Sequence, residues 1–250
     1  MKIIDAFWEK RNLGVDVVEV EIGKRDTGDV RETIAGIAEL KAPGKLINVK
    51  LPVASLELLH ALEDIGFRFL ECQLKISRSL KEYEPPLEMR PLLEKTGVHV
   101  IEKNPAELEA LLERITPGMF STDRICLDPL WGDSCEELSA TRYKNWIKDI
   151  FSETATTCYY FSNMSNIIGF GVAKHEAGEK HVHGLLGGVL KSEENPISSV
   201  SFIHTPLLLF RNYNAKFSTS ISSNNIAVCR LYIAFGYQIE KMQYVMRWFS

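Results

Sequence analysis

The stretch from Ser220 to Trp248, SISSNNIAVCRLYIAFGYQIEKMQYVMRW, constrains the fold more than any other part of the chain. A β-prone run leads into Ser222, Ser223 and Asn224, whose side chains can accept hydrogen bonds from the free amides at a helix start. Ile226, Cys229 and Ile233 then recur at i, i+3 and i+7, with Val228, Tyr232 and Phe235 on a neighbouring face. That spacing predicts a helix with little polar surface and most of its length buried. Gly236 ends it, because glycine enters the left-handed conformation without a Cβ clash. Met242, Tyr244, Met246 and Trp248 alternate beyond it as on one face of a strand. The predicted unit is strand, helix, strand.

The first ninety residues repeat this alternation on a smaller scale. Val18, Val20 and Ile22 mark a strand, Ile34, Ile37 and Leu40 a helix, and Pro43-Gly44 a turn into the strand LINVKLPV. Leu56, Leu59 and Leu62 mark a second helix, closed by Gly66 before the strand FRFLECQLKI. LEDIGFRFLE therefore echoes IAFGYQIEKM, either as an internal duplication or as a common way of ending a helix. KEYEPPLEMRPLLEKT, residues 81 to 96, carries three prolines among charges and separates an expected domain 1–90 from a second, 97–250.

The second unit opens with a strand at Val98, Val100 and Glu102 and a helix that Pro105 can begin. An irregular segment around Asp128 settles into a helix carrying Leu138, Tyr143, Trp146 and Ile147. CYYFSNM, IIGFGVAKHE and HVHGLLGGVL then read as an antiparallel meander, with a turn at Met164 to Asn166. Gly169-Phe170-Gly171 is not a dinucleotide loop, because no helix follows it. His181 and His183 share one strand face, which suits a base lining a cleft, and Glu176 has the same standing. With no third ligand in the pattern, metal binding is not expected. Pro206 predicts a kink or early break in the helix that follows.

At 250 residues, 45% hydrophobic, the chain can build one large core or two smaller ones without staples. A formal charge of -4, with no Lys/Arg cluster among aromatics, argues against nucleic-acid binding. The first residues, MKIIDAFWEKRNLG, place charges where a signal peptide needs an apolar run. No apolar stretch approaches the roughly 20 residues of a membrane span, so a cytosolic protein with reduced, mostly buried cysteines is expected.

Asn225, Val228, Leu231, Tyr232, Gly236 and Tyr237 together resemble the closing motif N-x-x-A-x-x-L-Y-x-x-x-G-F of the GNAT superfamily of acyl-CoA-dependent N-acyltransferases. The resemblance implies an α/β (α+β) fold: a mixed, mostly antiparallel sheet flanked by helices, here preceded by a smaller α/β domain. It implies acetyl-CoA as donor, the amine of a small molecule as acceptor, and Tyr232 as the acid that protonates the departing thiolate. Val189 and Leu190 would lie along the thioester, and Ile197, Ser198, Ser199 and Asn225 would complete the donor site. WEKRNLG and GFRFLECQL are similar to the N-terminal domain of dTDP-fucosamine acetyltransferase and its relatives, which points to an amino-sugar nucleotide as acceptor. In those relatives a segment like the one holding Arg124, Asp128, Tyr143 and Trp146 helps wall the acceptor site; His183, from its strand face, is a further substrate-contacting candidate. The final strand, YVMRWF, can pair between subunits in this superfamily, so a homodimer is also expected.

The chain departs from the pattern after LLGGVL, where the pyrophosphate loop Q/R-x-x-G-x-G/A has its glycines. Here Pro196 removes an amide, and Glu193 and Glu194 bring negative charge, with Lys191 as a partial offset. Two function classes follow, an N-acyltransferase or a GNAT-shaped binding or assembly protein that has lost acyl-CoA; a third possibility is transfer from an acyl donor without the same pyrophosphate contacts, which keeps the need for Tyr232.

Overall fold

The structure, a computed structural model, describes residues 1–175, 178–213 and 215–250. In the first part, β1 (Lys2–Asp5), α1 (Lys10–Leu13), β2 (Asp16–Glu21), α2 (Val30–Ala38) and β3 (Lys45–Pro52) precede α3 (Leu56–Asp64) and β4 (Arg68–Ser79). A connecting stretch carries α4 (Arg90–Leu93), β5 (Thr96–Val100), α5 (Pro105–Glu113), α6 (Arg124–Leu127) and α7 (Cys135–Phe151). The meander β6 (Thr156–Asn163), β7 (Asn166–Lys174) and β8 (His181–Val189) follows. The chain ends with α8 (Pro196–Leu209), β9 (Lys216–Ser222), α9 (Ile226–Ala234) and β10 (Gln238–Phe249).

Among the described residues, ten strands join one sheet in the order β1-β2-β3-β10-β4-β9-β8-β7-β6-β5. Pairing is antiparallel except between β2 and β3 and between β8 and β9. The last strand of the chain thus lies between β3 and β4, and β4 lies against β9. Each half lends its final strand to the other, so the stretches 1–90 and 97–250 share one sheet.

This exchange follows a structural repeat. Adding 170 to the residue numbers of α3 and β4 gives α9 and β10 residue for residue. The helix ends match in detail. Gly66 and Gly236 have φ of 88° and 78°, and the Phe67 and Tyr237 amides donate back to Leu62 and Tyr232 carbonyls at 2.9 and 3.0 Å. The β4–β10 register is symmetric about Gln73 opposite Gln243, with Cys72 opposite Tyr244 and Leu74 opposite Met242. The echo between LEDIGFRFLE and IAFGYQIEKM is therefore a repeat of strand, helix and strand.

Apolar side chains fill both faces of the sheet. Leu74, Ile76, Val182 and Phe217 pack with α8 and α9, and on the same face Ile47, Val49 and Met246 pack with α2 and α3. Cys158, Phe170 and Val172 face the other way, against α5 and α7. Along that second face runs a buried charge cluster joining the halves. Arg124 of α6 pairs with Glu19 of β2 and lies 3.8 Å from Glu9, Arg142 of α7 lies 2.6 Å from Glu9, and Arg247 of β10 binds Asp128 through two bonds of 2.5 and 2.8 Å.

Several sequence expectations change. The α9 cap is Asn225, whose Oδ1 accepts from the Val228 amide at 3.2 Å; Ser222 Oγ instead accepts from the Asn224 amide. Only Tyr232 of α9 is buried, while Ile226 and Ile233 are 60% and 54% exposed, because the helix lies over the sheet with its Val228, Leu231 and Tyr232 side inward. Helix α8 continues through Pro206 to Leu209, and the Pro206 carbonyl accepts from the Phe210 amide. Of the five cysteines only Cys158 is buried. Strand β10 has partners on both edges, β3 and β4, so it offers no free edge to a second subunit. The short edge strand β1, absent from the sequence reading, is held by β2.

Candidate active site

The parallel strands β8 and β9 pair only at His181 with Lys216, Val182 with Phe217 and His183 with Ser218. Beyond Ser218 strand β9 turns to β4 alone, and β8 stays on β7 as far as Val189. The strands therefore part, and the β9-facing backbone groups of β8 from Gly184 onward have no ladder partner among the described residues. The corresponding pair in the first repeat, β2 and β3, stays bonded from Asp16 with Lys45 through Glu21 with Lys50. Only the second half opens.

Glycines of β7 and β8 beside the opening let aromatic side chains lie directly on the strands. A Cβ on Gly171 of β7 would sit 2.3 Å from the Tyr159 hydroxyl, so the Tyr159 ring lies across that strand towards β8. Gly187, opposite Gly171, has the Phe202 ring of α8 over the same face; Gly188 has Phe120 and Met119 over the other. Tyr232 reaches this region from α9. It is 6% exposed, its ring packs edge-on against Tyr237 at 4.7 Å, and it shares a core cluster with Tyr159, Val182 and Phe217. Burial, and secondarily Cys229, pushes the Tyr232 hydroxyl above the usual tyrosine range; burial, with Tyr232 next, does the same to Tyr159. Both stay protonated at neutral pH. In the first repeat, residue 62 stands where Tyr232 stands in the second, and it is Leu62.

The other predicted residues are distributed around this opening. Tyr143 stacks on Phe120 at 3.8 Å, on the side of β8 facing α7, and donates to Asp123 at 3.0 Å; Trp146 lies 6.2 Å from Tyr143. His183 lies where β8 and β9 part. Its Nδ1 is 3.2 Å from Ser218 Oγ, which is 2.9 Å from His181 Nε2, and the two imidazoles stack at 4.4 Å. Arg124 is held in the charge cluster by Glu19 and Glu9. Asn225 caps α9 and donates to Thr122 Oγ1 at 3.2 Å, tying the segment before α6 to the end of β9. Val189 pairs with Gly169, and the Leu190 amide donates to the Ile168 carbonyl at 2.9 Å. Glu176 lies outside the described residues. Tyr159, Ser218 and Phe120 carry no local sequence signal; what marks them is the packing that sets them against Gly171, His183 and Gly188.

Ile197, Ser198 and Ser199 stand in the first turn of α8. Asn195 caps this helix: its Oδ1 accepts from the Ser198 amide at 3.0 Å and its carbonyl from the Ser199 amide at 3.1 Å. Ser198 Oγ donates to the Glu193 carbonyl at 2.5 Å, and Ser199 Oγ to the Asn195 carbonyl at 3.1 Å. Pro196 has no amide hydrogen, which leaves Ile197 as the free donor of that turn. With Asn195 on the Ser198 amide and no amide at Pro196, this turn does not fit a pyrophosphate.

No protein-family model and no curated protein matches the chain. Solved structures match its fold. A GCN5-related N-acetyltransferase from Sphaerobacter thermophilus aligns with TM-score 0.57 at 14% identity, over 93% of this chain and 72% of that one. One from Kribbella flavida aligns with TM-score 0.52 at 11% identity, over 93% and 80%. A GCN5-related glucosamine N-acetyltransferase region in a fungal multi-domain GH3 beta-N-acetylglucosaminidase aligns with TM-score 0.62 at 12% identity, over 99% of this chain and 31% of that one. The fold is that of the GCN5-related N-acetyltransferases, with a mixed, mostly antiparallel sheet flanked by helices. No helix among the described residues is long and apolar enough to cross a membrane.

Proposed function

We propose that the protein is an N-acyltransferase that moves an acyl group from a thioester to the amine of a small acceptor. The observation that carries this reading is the parting of β8 and β9 after Ser218 beside a buried, protonated Tyr232. A neutral amine adds to the thioester carbonyl, and negative charge develops on its oxygen. An unpartnered β8 amide aimed into the opening stabilises that charge more than it stabilises the substrate. As the tetrahedral intermediate collapses, the carbon–sulfur bond breaks, Tyr232 gives its proton to the sulfur, and the amine proton leaves to a base or water. The Phe120 and Tyr143 rings wall the acceptor side.

The similar glucosamine N-acetyltransferase region supports an amino sugar, free or nucleotide-linked, as the acceptor. The test is mass-spectrometric detection of amide product from an acetyl thioester and a panel of amino sugars, polyamines and amino acids. Amide formation above the uncatalysed rate supports the reading, and none with any amine refutes it. The capped α8 start favours a second reading, a binding protein that keeps the shape of the family. It predicts ligand binding without turnover.

A further inference from the structure

We infer that the donor is recognised by its acyl-pantetheine arm and that the protein takes no grip on a nucleotide pyrophosphate. The inference rests on the acyl-transfer reading and follows from the hydrogen-bonding groups at the start of α8. A pyrophosphate at a helix N-terminus is held by amides that the helix itself leaves unbonded. In α8 the first of these is missing at Pro196, and the third, at Ser198, donates to Asn195 Oδ1 at 3.0 Å. The Asn195 carboxamide oxygen therefore holds the place a phosphate oxygen would take, and its Nδ2 is itself donated to the Glu193 carbonyl at 3.0 Å.

The hydroxyls that could replace those amides are already engaged by backbone carbonyls. Ser198 is fully buried and its Oγ donates to Glu193 O, while Ser199 Oγ donates along the helix to Asn195 O. Glu193 and Glu194 add two carboxylates to the same loop, against the one ammonium of Lys191, which reaches towards the Gly118 carbonyl at 3.5 Å. A doubly charged pyrophosphate meets a neutral cap and a net negative loop. The opening between β8 and β9, by contrast, keeps unpartnered backbone groups, which suit the amide-rich pantetheine chain. The same arm occurs on coenzyme A and on acyl carrier proteins, and in both the thioester end is identical.

The test uses the full chain and hydrogen exchange of the segment 184–189, titrated with S-acetylpantetheine, acetyl-CoA and an acetylated carrier protein. The expected result is protection by S-acetylpantetheine and acetyl-CoA with half-saturating concentrations within about threefold of each other. Tighter binding of the carrier protein would identify it as the source of the arm and agrees with the inference. Acetyl-CoA binding more than about thirtyfold tighter than S-acetylpantetheine would overturn it. No protection by any of the three at millimolar concentration would overturn both this inference and the acyl-transfer reading. A variant carrying Asn195→Gly and Pro196→Gly frees two amides. It should bind acetyl-CoA about tenfold more tightly than the parent and S-acetylpantetheine unchanged; an equal change for both ligands contradicts the inference.

Discussion

Replacing Glu19 by Gln should weaken the junction between the halves, and by an amount that depends on pH. Glu19 stands on β2 and the Arg124 guanidinium of α6 donates to it, with Lys50 also nearby. Arg124 beside Glu19 holds its carboxyl down to about 2, against an ordinary value of 4.5. A difference of that size corresponds to about 3 kcal/mol of stability at neutral pH. Because the folded pKa is depressed, this stability is complete above the unfolded value near 4.5 and is lost as pH falls towards 2. By pH ~3.5 about 1.4 kcal/mol of it has gone. Urea unfolding of the parent and Glu19→Gln, followed by tryptophan fluorescence, should therefore show a gap of about 3 kcal/mol at pH ~7 that narrows by about half by pH ~3.5. A gap below about 1 kcal/mol at neutral pH, or one independent of pH, would refute the electrostatic account of the junction.

Other perturbations have distinct signatures. Asp128→Ala leaves Arg247 unpaired at 8% exposure and removes the acceptor for the Leu130 amide, so urea unfolding should show a loss of about 3–5 kcal/mol. Gly171→Ala drives a methyl group into the Tyr159 hydroxyl and should destabilise by about 1–3 kcal/mol in the same assay. Burial holds His204 down to about 4, beside the Tyr83 hydroxyl at 2.6 Å. Its neutral form is required, so stability should be full above the ordinary value of 6.5 and fall as pH drops towards 4; His204→Gln should flatten that part of the profile.

Much of the second half could be read from the sequence because its signals are local. Gly236 ends α9, Pro105 begins α5, and alternation marks β6 to β8, all within a few residues of the elements they define. The strand exchange could not be read that way. Whether β10 pairs with β9 or with β3 depends on partners about 200 residues away, and the same alternation of Tyr244, Met246 and Trp248 serves either pairing. Spacing alone overstates the burial of α9 for a related reason. Ile226 and Ile233 have the right spacing for a core face, but the sheet lies under the side carrying Tyr232.

The site divides along the same line. Tyr232 stands out by its motif, whereas Tyr159 and Ser218 matter only through the strands set beside them. The resemblance points Arg124 to the acceptor wall, but the Glu19 and Glu9 carboxylates that engage it come from the first half, far off in the sequence.

The measurement that tests acyl transfer most directly is turnover and stability of Tyr232→Phe, side by side with the parent. Phe keeps the ring that packs edge-on against Tyr237 at 4.7 Å, so the substitution should change unfolding stability by less than about 0.5 kcal/mol. Loss of the acid should lower amide formation from an acetyl thioester by about 100-fold or more. A variant that is equally active, or one whose activity falls only in step with its stability, would contradict the role of Tyr232 and the acyl-transfer mechanism built on it.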